Sequence, residues 1–174
     1  MPLQIIRQDI TKMQVDAVVN TTNEEMVGYS GVDFAVHQAA GPQLDAACKA
    51  LAPLGLGTAK ITPAFNMDAK YIIHTVGPIY HNGKNGEEKL LENAYRNSLQ
   101  LAVDHGIRTI AFPSISTGVY SYPLAEAAEI AIRTVREFYL AHPDAFDYVR
   151  FVLFDGRTLK AYDDAIYKLC VKDR

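Results

Sequence analysis

Short apolar runs alternate with longer amphipathic stretches along most of the chain. Leu3 to Arg7 reads as a first strand followed by a turn around Asp9, and Ala17, Val18 and Val19 as a short buried strand ending at Asn20. A loop from Thr21 to Gly31 leads to a helix over Val32 to Ala40, and Pro42 suits the first turn of another helix that includes Leu44 and Cys48. Ala59 to Phe65 and Tyr71 to Val76 carry the Ile, Tyr and Val of strands. Glu87 to His105 has helical periodicity through Leu90, Leu91, Ala94, Ser98, Leu101 and Ala102, with Gly106 placed to end it. Thr109 to Phe112 is a short apolar strand, and Ser114 to Tyr122 is a loop. Pro123 can open a helix whose stripe is Leu124, Ala127, Ala128, Ala131, Val135 and Phe138. Val149 to Phe154 reads as a strand, and Leu159 to Cys170 as a last helix with Tyr162, Ala165, Ile166 and Leu169 facing inward.

Strands that are apolar throughout need cover on both faces, so the pattern predicts an α/β domain with a central mixed sheet between helical layers. At 174 residues the chain suits one domain, taken as 1–174, and can bury a core without disulfides or a structural metal. Its two cysteines, Cys48 and Cys170, have no ligand-like spacing and read as reduced thiols. The five histidines form no ligand pattern either, so neither a metal nor a cofactor is expected. The formal net charge of −3 lacks the basic footprint of a duplex binder, but it leaves room for a small anion held by backbone N–H groups. No apolar run approaches the length of about 18 residues needed to span a membrane. Met1 to Gln4 meets charge at Arg7, unlike a signal peptide, so a cytoplasmic location and a monomer are the default expectations.

Chemistry-bearing residues gather after strand ends, where open α/β sheets place ligands. Asn20 and Asn23 follow the second strand, and Gly31 and Val32 open a helix whose N-terminal amides favour a phosphate. Asp33 falls in the first turn, either as a plain helix-start carboxylate or as a working one, and His37 lies four residues on along the same face. Asn23 reads equally as a turn residue capping its own loop, and Asn20 as a tie between loops. Ser116, Thr117, Gly118, Val119 and Tyr120 leave reachable amides between a strand and a helix, as a phosphate nest requires, although the loop is neither a Walker sequence nor GxGxxG. Phe154 either stacks on a base or closes the core. Asp9, beside Ile10, either accepts from an exocyclic amine or forms a turn. Of Tyr120 and Tyr122, one packs against the domain. His74 reads as packed, and no Ser-His-Asp or Cys-His arrangement emerges.

In order along the chain, Val19-Asn20-Thr21-Thr22-Asn23, Gly31-Val32-Asp33 with His37 and Ala39-Ala40-Gly41, Ile73-His74-Thr75-Val76-Gly77-Pro78, and Ile115-Ser116-Thr117-Gly118-Val119-Tyr120 resemble the macrodomain family, and within it the MacroD-type ADP-ribosyl hydrolases. The likeness covers Ile5 to Leu169. It implies a three-layer α/β/α macrodomain-like fold and an ADP-ribose site. Asp9 and the Ile10 backbone would meet adenine, with Phe154 against it. Gly31, Val32 and Ser116 to Tyr120 would hold the diphosphate, and Asn23 the distal ribose. Asp33 would be the catalytic carboxylate, with His37 auxiliary to it. The implied activity is removal of mono-ADP-ribose from proteins at Asp or Glu esters, or deacetylation of O-acetyl-ADP-ribose. A non-catalytic reader is the alternative. Partners would be ADP-ribose, mono-ADP-ribosylated proteins or ADP-ribosylated nucleic acid. Tyr29 and Ser30 interrupt the glycine run usual in that branch, and Thr21 and Thr22 replace two alanines.

Overall fold

The computed structural model describes residues 3–29 and 31–173, so Ser30 lies outside the described residues. Among them are six strands, β1 (Leu3–Arg7), β2 (Ala17–Thr21), β3 (Ala59–Pro63), β4 (Tyr71–Thr75), β5 (Thr109–Phe112) and β6 (Tyr148–Leu153). They form one sheet in the order β1-β6-β5-β2-β4-β3, parallel throughout except for the antiparallel β3–β4 pair. The helices are α1 (Gly31–Ala40), α2 (Pro42–Leu51), α3 (Glu87–Asp104), α4 (Leu124–Ala141) and α5 (Gly156–Lys172).

Strand parity divides the core in two. Val19, Ile73, Phe112 and Phe151 point to the side of α3, α4 and α5, where they meet Leu91, Tyr95, Ala131 and Tyr162. Val18, Ile72, Ala111 and Val152 point to the side of α1 and α2, against Val36, Leu44 and Cys48. The result is three layers, α/β/α. Tyr95, Phe112, Phe151 and Tyr162 are fully buried, with ring centroids 5.0 to 6.0 Å apart along their contacts. Burial of each such side chain stabilises the fold by about 1.5–3 kcal/mol. The same parity puts Asn20 on the α1 side, and its register partner on β4 is His74.

Boundaries differ from the sequence pattern where capping decides them. Helix α5 starts at Gly156 rather than Leu159, because the Asp155 carboxylate accepts from the Thr158 amide at 2.8 Å and caps the first turn. The turn at Asp9 contains a short 3-10 helix, Ile10–Lys12, capped by Asp9 in the same way. Strand β2 runs one residue past Asn20, and β3 stops at Pro63, before Phe65 turns to φ 51°. Strand β6 ends at Leu153, which leaves Phe154 outside the sheet. Gly106 follows α3 at φ 67° and lets the Ile107 amide reach back to Ala102, as expected of a helix-ending glycine.

Candidate functional site

The loops after β1, β2, β5 and β6 all leave the same edge of the sheet and enclose a cavity of about 670 Å³. Asp9, Ile10, Asn23, Gly31, Val32, Asp33, Ser116, Thr117, Gly118, Val119, Tyr120 and Phe154 line it. His37 does not; it sits behind Asp33. The lining also includes Tyr29, expected from the sequence to narrow the cleft or cover the distal ribose, Ser114 at the start of the expected phosphate loop, and Gln8, Thr22, Asp155 and Thr158, which sequence reasoning did not single out for binding. Sheet order arranges these groups in a row. From β1 come Asp9 and Ile10, from β6 Phe154, from β5 the loop at 116–120, and from β2 Asn23 and Asp33. Three inter-strand steps of about 4.8 Å separate the ends of that row by about 14 Å.

The middle of the row is a set of unpaired amides. Gly31, Val32 and Asp33 form the first turn of α1, whose N–H groups have no intrahelical acceptor. Gly31 enters that turn at φ 59°, a conformation glycine adopts without strain. In the second loop the amides at 116–120 find no protein acceptor among the described residues. Ser116 has φ 67°, and its hydroxyl is buried without a partner. No lysine, arginine or histidine lines the cavity, so an anion there must be held by backbone donors.

That loop is fixed from behind by hydroxyls. Ile115 donates its amide to Tyr95 Oη at 3.1 Å, which lies 3.4 Å from Tyr162 Oη. Tyr162 donates to Ser114 Oγ at 2.9 Å, and Thr117 Oγ1 donates to the same oxygen at 2.7 Å. Tyr122 is the packed tyrosine of the pair, its ring 4.8 Å from Tyr80, while Tyr120 faces the cavity.

Asp33 is buried at one end of the row and held on both oxygens. Asn20 Nδ2 donates to Oδ1 at 2.8 Å and Thr22 Oγ1 to Oδ2 at 2.7 Å. His37 Nε2 lies 3.3 Å from Oδ1, and its Nδ1 meets Asp45 Oδ1 at 2.5 Å. The Nδ1–Asp45 contact is a hydrogen bond, whereas Nε2 faces Asp33 at ion-pair distance without one, and two neighbouring carboxylates favour the protonated ring. The Asp33 carboxylate, then the Cys48 thiol and Asp45, raise His37 to about 10 against the opposing effect of burial. His74 is the reverse case: burial lowers it to about 4, against the pull of Asp33. Its neutral ring faces Asn20 Nδ2 at 3.2 Å and Thr62 Oγ1 at 3.0 Å, so it is packed and supports Asn20. Asn20 thus ties β2 to Asp33 rather than reaching the cavity.

Other expected groups are placed as follows. The Asn23 amide donates to Val27 O at 2.9 Å and accepts from Val27 N at 3.0 Å, so its side chain shapes its own loop while lining the cavity. Asp9 Oδ1 accepts twice from Thr11, which leaves Oδ2 free, and those bonds hold its carboxyl below the usual range. Phe154 is 82% exposed, which removes the core reading of that ring. Tyr29 is 77% exposed at the rim. Gly28 must lack a side chain, since a Cβ would lie 2.6 Å from His37 Cδ2. Among the described residues no group of His, Cys, Asp and Glu side chains is placed to hold a metal ion, and no helix is long and apolar enough to cross a membrane.

Comparison with known proteins bears on this geometry. A family model described as Macro domain matches residues 19–131. The chain is 50% identical over 164 residues to a macro domain-containing protein of Chlorobaculum tepidum, covering 94% of this chain and 95% of that protein. It is 49% identical over 164 residues to an O-acetyl-ADP-ribose deacetylase of Salmonella typhimurium, covering 92% and 91%. Among solved structures, the Oceanobacillus iheyensis macrodomain with ADP superposes with a TM-score of 0.93 at 41% identity, covering 98% of this chain and 92% of that one.

Proposed function

Because the chain belongs to the macro domain family, we propose that it binds ADP-ribose and hydrolyses esters at the distal ribose, both in O-acetyl-ADP-ribose and in proteins mono-ADP-ribosylated at Asp or Glu. The observation that carries this reading is the row itself: two sets of unpaired amides with no basic side chain between them, an exposed ring beyond one end, and a buried carboxylate at the other. The diphosphate lies on the amides of Gly31, Val32 and 116–120. Adenine lies at Asp9, Ile10 and Phe154, and the distal ribose at Asn23 and Asp33. The relative named as a deacetylase and the ADP-bound neighbour support the assignment of the ligand.

On this reading, water attacks the anomeric carbon while the bond to the acyl oxygen breaks, the carboxylate leaves with that electron pair, and the proton lost by the water passes to solvent. Positive charge develops on the ribose in between, as in glycoside hydrolysis. Asp33, fixed by Asn20 and Thr22, orients the water and offsets that charge. The bound diphosphate holds the sugar against it. The test compares wild type and Asp33→Ala on O-acetyl-ADP-ribose and on a peptide mono-ADP-ribosylated at glutamate. Turnover lost with ADP-ribose binding retained is the expected result. A folded wild type that binds ADP-ribose and turns over neither ester is a reader, and the hydrolase reading falls.

A further inference from the structure

A second, smaller cavity of about 210 Å³ adjoins the first and shares Asn23 and Tyr120 with it. Its other walls are Glu24, Glu25, Leu56, Val76 and Ile79. In the sheet it is the next step of the same row: Val76 follows β4 and Leu56 precedes β3, the two strands beyond β2. It therefore lies past the ribose end, on the side of Asp33, where whatever is joined to the distal ribose must emerge. Leu56 and Ile79 are 41% and 50% exposed. Neither glutamate pairs with a cation among the described residues. Burial raises the Tyr120 hydroxyl above its ordinary range, and Glu25, Asp33 and Glu24 raise it further, which puts three carboxylates around the shared wall.

Resting on the hydrolase reading above, we propose that this cavity receives the polypeptide flanking the modified residue, and that it favours segments with an apolar side chain next to lysine or arginine. Continuity with the ribose end sets where the segment lies. The apolar floor of Leu56, Val76 and Ile79 takes an aliphatic or aromatic side chain, and the two free glutamates select positive charge beside it. The same glutamates disfavour a nucleic-acid acceptor, whose phosphates would meet them directly.

The test is a binding comparison that does not depend on turnover. Two peptides carry ADP-ribose through a hydrolysis-resistant linkage on one glutamate, flanked in one by Leu and Lys and in the other by Leu and Glu. Calorimetry measures both against free ADP-ribose. The basic peptide should bind about threefold to tenfold tighter than the acidic one, the range supplied by one exposed ion pair gained and one like-charge contact avoided, with the gap narrowing at high salt. The double variant Glu24→Gln, Glu25→Gln should erase the gap while free ADP-ribose binds as before. Ile79→Ser should weaken both peptides alike. Equal affinity of the two peptides in wild type, or a gap that survives the double variant, overturns this inference while the ADP-ribose site stands. Tighter binding of an ADP-ribosylated oligonucleotide than of the basic peptide also overturns it. Failure of free ADP-ribose to bind removes the functional reading and this inference with it.

Discussion

Gly77 is where a single methyl group should disturb ligand binding without touching the ligand. It follows β4, is buried, and has a backbone conformation that alanine can adopt, so no φ penalty enters. A Cβ placed there would lie 2.2 Å from Ser116 Oγ and 2.5 Å from Ile115 Cγ2. Reaching a separation of 3.0 Å requires the serine oxygen to retreat by 0.8 Å (3.0 minus 2.2). Ser116 can turn its hydroxyl away, but Ile115 is fully buried and has little room. The loop at 115–118 must then move outward as a unit. Overpacking of this kind costs about 1–3 kcal/mol. For a chain of this size that lowers Tm by about 2–12 °C. Loss of one amide bond to a charged phosphate, at about 1.5–3 kcal/mol, would weaken ADP-ribose binding by about 10- to 150-fold. Differential scanning calorimetry and titration calorimetry on Gly77→Ala read the two effects separately. The double variant Gly77→Ala, Ser116→Gly removes the nearer clash, and glycine suits φ 67° at 116, so it should regain part of both losses. Wild-type Tm and Kd for Gly77→Ala would refute the argument, as would a double variant no better than the single one.

Other outcomes follow from the same geometry. Phe154→Ala should leave stability within about 0.5 kcal/mol, since the ring is exposed; loss of a stack worth about 1–3 kcal/mol should weaken ADP-ribose binding about 5- to 150-fold, and an unchanged Kd would remove Phe154 from the adenine end. His37, raised from 6.5 to about 10 in the folded protein, contributes stability fully below pH 6.5 and loses it as pH rises through 10; ring-nitrogen NMR at pH 8 should find an imidazolium, and a neutral ring there contradicts its placement between Asp33 and Asp45. Glu87 accepts from the amides of His81, Asn82, Gly83 and Asn85, and these bonds outweigh burial and bring it from 4.5 down to about 2. Its contribution is therefore present above pH 4.5 and lost as pH falls through 2, so the stability gap between wild type and Glu87→Gln should narrow from pH 6 to pH 3; a gap independent of pH would show that charge is not what holds the 81–86 loop.

The elements were legible because the chain obeys the rules that sequence reading uses. Continuous apolar runs at Val18-Val19, Ile72-Ile73 and Thr109 to Phe112 became the strands buried on both faces. The stripe from Leu124 to Phe138 became the inward face of α4. Gly31, Gly106 and Pro123 stand at helix boundaries. The turn-forming reading of Asp9 matches its cap on the Ile10–Lys12 turn, whereas the sequence pattern missed Asp155, which starts α5 by accepting one backbone bond. The cavity was legible as a set of loops after strand ends. The side-chain bonds that fix those loops were not, because Tyr95, Tyr162 and Ser114 lie on three separate elements.

The support of Asp33 was partly within reach. Val18 and Ile72 share a parity, and two residues further along each strand stand Asn20 and His74. Two polar residues at matching ends of neighbouring apolar strands, on the face that a helix covers, must meet each other or a polar group from that helix. The i, i+4 pair Asp33 and His37 offers that group. Asp45 could not be placed this way, since nothing local ties the first turn of α2 to the middle of α1. The consequence concerns the rim. Asp33 is held by β2 through Asn20 and by Thr22 just beyond the strand, not by the segment carrying Tyr29. The interruption of the glycine run at Tyr29 therefore bears on what can approach the carboxylate, while β2 and Thr22 hold its two oxygens and Gly28 packs against the His37 ring beside it.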